Sequence, residues 1–272
     1  MKPAPRIGVF DSGFGGLTVL RALLQRIPNA CYSFLGDTAR LPYGSKSRRT
    51  IAHYAAEGAQ FLVEKQGAEF LVIACNTASA LALDAIEQAV PVPVLGVIEP
   101  GAAAAKAASK TGDVLVIATD ATVQSHAYAA ACRARGLRAL EKACPLLVPL
   151  VEEGWTAHPV TAQVIGVYLE ELRAQAREQG LRYDTLVLGC THYPLLRPML
   201  EQAVTPGVQV IDSAEATADA AVRLFGQEHA QNEPATAEVR CFATDSVDKF
   251  ERLGSRFLGR PTGKVELVDL EG

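Results

Sequence analysis

A chain of 272 residues with 49% hydrophobic content carries enough apolar material for one large or two smaller domains, which excludes an intrinsically disordered polymer. The net charge is −4, and Lys and Arg are scattered apart from Lys46, Arg48 and Arg49, a cluster assigned to an exposed helix start; nucleic-acid binding is therefore not expected. No run is long enough to cross a membrane, and Met1–Arg6 leads into a strand pattern without the apolar stretch of a secretory signal.

The first strand-like runs fall at 6–10, 31–35, 69–74 and 92–97 and alternate with helical patterns at 15–26, 47–65 and 77–89. That alternation predicts an α/β unit with a parallel sheet covered by helices. The next helix opens at Glu99-Pro100, carries Lys106 and Lys110 near its carboxyl end and stops at Gly112. Strand patterns at 114–118, 145–149 and 185–189, interleaved with helical patterns at 122–135 and 159–179 that end at Gly136 and Gly180, predict a second unit of the same class. Short strands at 208–211, 238–243 and 265–270 either extend that second unit or fold back on the first. The division taken is 1–97 plus about 208–272 for the first domain and 98–207 for the second.

Two segments read almost alike: Leu71-Val72-Ile73-Ala74-Cys75-Asn76-Thr77 and Leu186-Val187-Leu188-Gly189-Cys190-Thr191-His192. Each is a buried-strand pattern ending in a cysteine, which places a thiol at the carboxyl end of a parallel strand, where open α/β sheets bind ligands. Their spacing is too long for a solenoid repeat and points to a duplicated domain with a site in an interdomain cleft. A thiol with a reference pKa of about 8.5 needs a helix amino terminus, a cation or an acid–base partner to act as a base. Asn76 and Thr77 are candidate caps beside Cys75, and Thr191 and His192 follow Cys190. Singly, either cysteine reads as a small core residue; the matched contexts favour chemistry. Cys31, Cys132, Cys144 and Cys241 have no such context and read as structural. With no Cys-x-x-Cys and no zinc-ligand spacing, the six cysteines predict free thiols in a reducing cytoplasm and no metal.

Other groups admit two readings each. Asp11-Ser12-Gly13-Phe14-Gly15-Gly16 follows the first strand, and is either a carboxylate-binding turn or a tight turn capped by Asp11; Thr18 stands where a dinucleotide fingerprint needs glycine. Leu41-Pro42-Tyr43-Gly44-Ser45 is a loop over the site or an ordinary Pro-Gly turn. Thr119 and Thr122 bind substrate or cap a helix, Glu152 and Glu153 are auxiliary acids or solvated loop carboxylates, and His192 is an acid–base group or a satisfied loop histidine.

Taken together and in order, Asp11-Ser12-Gly13 with Gly15-Gly16, Pro42-Tyr43-Gly44, Ala74-Cys75-Asn76-Thr77-Ala78, Glu99-Pro100-Gly101 and Gly189-Cys190-Thr191-His192-Tyr193-Pro194-Leu195 resemble the bacterial glutamate racemase family, over residues 7 to about 225. The resemblance implies two similar α/β domains related by a pseudo-twofold axis with the site in the cleft between them. It also implies a cytoplasmic isomerase that interconverts L- and D-glutamate without a cofactor, supplies D-glutamate for peptidoglycan and forms a homodimer. By residue match, Cys75 deprotonates D-glutamate and Cys190 L-glutamate, with Asp11 beside the first thiol and Glu152 and His192 beside the second. Ser12, Pro42, Tyr43, Gly44, Asn76, Thr77, Thr119, Thr122 and Thr191 would bind the substrate. Where many relatives have Gly-Thr before the second threonine, this chain reads Ala118-Thr119. The competing readings are a racemase for aspartate or a related acid, a thiol redox protein pairing Cys75 with Cys190, and an amino-acid-binding protein without turnover.

Overall fold

The computed structural model describes residues 4–225 and 237–270, which divide into two compact units: Met1–Val97 with Ala214–Gly272, and Ile98–Ser213. In chain order the first unit begins β1 (Arg6–Asp11), α1 (Leu17–Arg26), β2 (Cys31–Gly36), α2 (Arg48–Gln60), β3 (Phe70–Ile73), α3 (Asn76–Leu81), α4 (Leu83–Ala89) and β4 (Val94–Gly96). The second holds α5 (Ile98–Ala108), β5 (Asp113–Ala118), α6 (Asp120–Ser125), α7 (Ala127–Arg133), β6 (Arg138–Ala143), α8 (Leu147–Glu152), α9 (Pro159–Glu178), β7 (Thr185–Gly189), α10 (Arg197–Ala203) and β8 (Gln209–Asp212). After α11 (Ser213–Phe225), the chain adds β9 (Val239–Ala243), α12 (Val247–Leu258) and β10 (Val265–Leu267) to the first unit.

Among the described residues the first sheet runs β10-β9-β2-β1-β3-β4 and the second β6-β5-β7-β8, with every pairing parallel. The order β2-β1-β3-β4 is reproduced element for element by β6-β5-β7-β8. The central strands are buried on both faces, as parallel strands covered by helices require: every residue of β3, β5 and β7 is buried. Cys75 sits on the core cluster that contains Phe10, Leu35, Tyr43, Leu71, Ala78 and Phe242, so its neighbourhood is fixed by packing.

The structure corrects four expectations. The run 145–149 is not a strand: the edge strand is Arg138–Ala143, and Leu147–Glu152 is helical. A short apolar run does not by itself separate strand from helix, and Pro149 falls in the first turn, where no intrahelical donor is needed. The true edge strand carries Arg138, Glu141 and Lys142 and is half-covered, a pattern that a search for buried strands passes over. Second, the segment 208–212 belongs to the second unit, because β8 hydrogen-bonds to β7. Third, the helix expected to run to Gly112 ends at Ala108, where the Asp184 carboxylate takes the Ser109 hydroxyl and the N–H groups of Lys110 and Thr111. Fourth, the helices expected at 77–89 and 122–135 are each broken, at Ala82 and at His126, the latter with φ of 54°.

Gly36 is a glycine for a steric reason. A Cβ there would lie 2.1 Å from the Gly13 carbonyl oxygen and 2.7 Å from Phe250, so β2 approaches the Asp11–Gly16 turn more closely than any side chain permits. Gly36→Ala is expected to destabilise the fold by about 1–3 kcal/mol or more, read as a lower urea midpoint at unchanged slope.

Candidate active site

In the first unit the strand ends converge on Cys75. β3 stops at Ile73, the Ala74 N–H bonds the Phe10 carbonyl at 2.8 Å, and Cys75 then takes the N-cap position of α3. The cysteine itself, rather than Asn76 or Thr77, is the cap: its Sγ accepts the Ala78 N–H at 3.4 Å and lies 3.3 Å from Ser12 Oγ. Asn76 and Thr77 are the first, buried residues of the helix. Asp11 ends β1, is buried, and accepts the Gly13 N–H at 3.0 Å, closing the turn that carries Ser12. Gly16 admits this arrangement, since a Cβ there would fall 2.6 Å from that of Asp11.

Burial pushes the Cys75 thiol up to about 12, and the Asp11 charge adds to the rise; the Ser12 hydroxyl and the N–H groups of Ala78 and Ser12 only partly offset it. These surroundings favour the thiol form of Cys75 over the thiolate.

Tyr43 is buried, and Pro42 and Gly44 flank it on the loop after β2. Its hydroxyl donates to Asp37 Oδ2 at 2.5 Å, while Asp37 Oδ1 accepts from Thr244 Oγ1 at 2.9 Å. Arg40 lies 3.8 Å from Asp37 and 2.6 Å from Glu57. Burial raises the Asp37 carboxyl, against the opposing pull of Tyr43, Thr244 and Arg40. Sequence reading missed Asp37 and Thr244. Asp37 directly follows β2, so the rule that singled out Asp11 at the end of β1 would have found it; Thr244 follows β9, in a segment without a recognised motif.

In the second unit Cys190 directly follows β7 and is buried. A short 3-10 turn, Tyr193–Leu196, follows it in place of a helix start. Cys190 Sγ lies 4.0 Å from His192 Nδ1, Thr191 Oγ1 lies 3.3 Å from the same nitrogen, and His192 Nε2 faces Glu152 Oε1 at 3.4 Å. The structure thus brings Glu152, and not the exposed Glu153, to the histidine. Glu152 is the last residue of a helix instead of a loop acid. Burial disfavours the His192 imidazolium, but the Cys190 sulfur and the Glu152 carboxylate outweigh it and raise the histidine well above its ordinary value. Thr119 directly follows β5 and caps α6, accepting the Thr122 N–H at 3.4 Å, with the two hydroxyls 3.0 Å apart. Alanine at 118 leaves this cap intact, with Thr119 in extended backbone.

Among the described residues all six cysteines are free, no group of three or more His, Cys, Asp or Glu could hold a metal ion, and no helix is long and apolar enough to cross a membrane.

Two α/β units with parallel sheets each carry a cysteine at the end of a fully buried strand, Cys75 beside Ser12 in the first and Cys190 beside His192 in the second. Residues 7–221 match the profile of the Asp/Glu/Hydantoin racemase family. The chain is 56% identical to a glutamate racemase of Koribacter versatilis, covering 100% of this chain and 99% of that one, and 49% identical to one of Syntrophus aciditrophicus, covering 97% and 96%. The crystal structure of glutamate racemase from Francisella tularensis in complex with D-glutamate superposes with a TM-score of 0.86 at 34% identity, over 100% of this chain and 99% of that one. The chain belongs to the Asp/Glu/Hydantoin racemase family, and it is an isomerase.

Proposed function

We propose that this protein interconverts L- and D-glutamate by a cofactor-independent, two-base mechanism and supplies D-glutamate for peptidoglycan. The observation that carries the reading is the matched pair of strand-end thiols, each beside a different proton-handling partner: Asp11 and Ser12 for Cys75, His192 and Glu152 for Cys190. Relatives named glutamate racemase at 56% and 49% identity favour glutamate over aspartate.

Inversion at a carbon requires a base on one face and an acid on the other. Starting from L-glutamate, the Cys190 thiolate, facing the His192 imidazolium, removes the α-proton, and the electron pair stays on the carbanionic substrate. The Cys75 thiol donates its proton to the opposite face and becomes thiolate. The reverse direction starts from the exchanged protonation state, with the Cys75 thiolate as the base and Asp11 as its auxiliary acid. Ser12, Tyr43, Gly44, Asn76, Thr77, Thr119, Thr122 and Thr191, with Pro42 shaping the loop, present hydroxyl and amide dipoles to the substrate's charges and to the carbanion. The reading includes a homodimer in the cytoplasm, with neither membrane nor nucleic acid as partner.

The test is purified protein with L-glutamate in deuterated water and no added cofactor, followed by circular dichroism and by loss of the α-proton signal, beside the same assay on L-aspartate. Loss of optical activity with deuterium at the α-carbon is expected for glutamate alone. Turnover of aspartate would reassign the substrate, and exchange with neither would leave an amino-acid-binding protein.

A further inference from the structure

The Tyr193 phenol is fully buried in the second unit, and its hydroxyl lies 2.9 Å from the Cys144 carbonyl oxygen and 3.1 Å from that of Ala118. A phenol has one hydrogen, so the two carbonyls share it. Neither depends on it: Ala118 O also accepts the Cys144 N–H at 2.9 Å, and Cys144 O the Leu147 N–H at 3.2 Å. What the hydroxyl adds is a tie between three segments. Ala118 is the last residue of β5 and precedes Thr119; Cys144 follows β6 and opens the turn into α8, whose final residue is Glu152. Tyr193 itself is tied to the reacting cysteine, since its N–H bonds the Cys190 carbonyl at 3.2 Å.

We propose that Tyr193 is a positioning residue for the Cys190 half-reaction: its shared hydrogen bond locks the Thr119 turn and the root of the Glu152 helix against the segment bearing Cys190 and His192. The inference rests on the racemase reading above. Burial, with Cys190, Cys144, Tyr168 and Asp120 nearby, holds the phenol well above its ordinary value, so the group is a permanent donor. The groups facing His192 include the Cys190 sulfur, the Thr191 hydroxyl and the Glu152 carboxylate, and the tie fixes the segment carrying the first two relative to the helix carrying the third.

A matched control exists in the first unit. Tyr32 is equally buried and donates to two carbonyls, Ile27 O at 2.8 Å and Leu23 O at 3.2 Å, at the end of α1. The experiment compares full-length Tyr193→Phe and Tyr32→Phe with the parent protein by two readouts: the Cα-deuterium isotope effect on kcat/KM from each glutamate enantiomer, and the His192 titration followed by NMR without ligand. Because both carbonyls keep a backbone donor, the Tyr193 variant is expected to fold, and the Tyr32 variant calibrates the loss of midpoint. For Tyr193→Phe, kcat is expected to fall by roughly ten- to a hundredfold at little-changed KM, with an isotope effect enlarged from L-glutamate more than from D-glutamate. The His192 titration is expected to move to lower pH. Tyr32→Phe should change neither readout. Parent-like isotope effects and an unmoved His192 titration in Tyr193→Phe would overturn the proposal. If the parent protein does not racemise glutamate, the racemase reading fails by itself, and the titration alone then decides whether Tyr193 sets the His192–Glu152 geometry.

Discussion

Serine at position 75 or at position 190 is expected to lower kcat for racemisation by about 10²- to 10⁴-fold in both directions, the scale of a lost general acid or base. Either single change affects both directions because each group that removes the proton one way must return it the other way. Serine keeps nearly the shape of cysteine while its hydroxyl is a far weaker acid, so the fold and the substrate contacts survive while the proton transfer does not. At position 75 the fold should even gain slightly: the cysteine already accepts the Ala78 N–H as an N-cap, a place where serine is among the preferred residues. Isothermal titration should therefore show glutamate affinity within a few-fold of the parent.

The two variants should also differ from each other. Cys75→Ser retains the Cys190 base and is expected to exchange the α-proton of L-glutamate with solvent without inverting it; Cys190→Ser should exchange D-glutamate in the same way. Racemisation at the parent rate in both variants would discard the two-thiol mechanism.

The parts of the fold that were legible in the sequence are those in which local chemistry and burial agree. The strands ending at Ile73 and Gly189 are continuous apolar runs because parallel strands are covered on both faces, and the turns at Gly136 and Gly180 adopt positive φ of 71° and 62°, where glycine carries no side-chain penalty. The thiols were legible for the same reason: a cysteine that ends a buried strand has its position set by the sheet. The edge strand Arg138–Ala143 was not, because an edge is half-solvated and its charges, such as Arg138 paired with Asp113 at 2.7 Å, belong to tertiary partners. The Asp37–Thr244 contact joins positions 207 residues apart, and no local pattern encodes such a pair. It also gives the carboxyl-terminal segment a role in the site's support, since β9 pairs with β2 in the first sheet and delivers Thr244 to the carboxylate that holds Tyr43. The electrostatic asymmetry of the two surroundings was hidden for a related reason. Both cysteines follow the same strand pattern, yet Asp11 adds negative charge beside one, whereas His192, charged by its neighbours, faces the other.

That asymmetry makes Glu152→Gln the most informative change in the second unit. His192 is largely shielded from solvent, and its charged form is favoured because the Cys190 sulfur and the Glu152 carboxylate oppose the cost of desolvation. Glutamine preserves the shape of the contact at 3.4 Å but removes one of the two stabilising charges, so the histidine should titrate at lower pH. The active form, with His192 charged, is lost as pH rises through the histidine's value; the alkaline limb of the kcat/KM profile should therefore move down in pH, with kcat at neutral pH falling by about ten- to a hundredfold. The stability effect has a definite sign as well. A histidine raised in the folded state contributes stability that is fully present below its unfolded value of about 6.5 and is lost as pH rises through the raised value. Glu152→Gln shrinks that contribution, so the variant's deficit in urea midpoint should be larger at pH 6 than at pH 9. A deficit that grows with pH, or an alkaline limb that stays in place, would mean that Glu152 does not set the charge on His192.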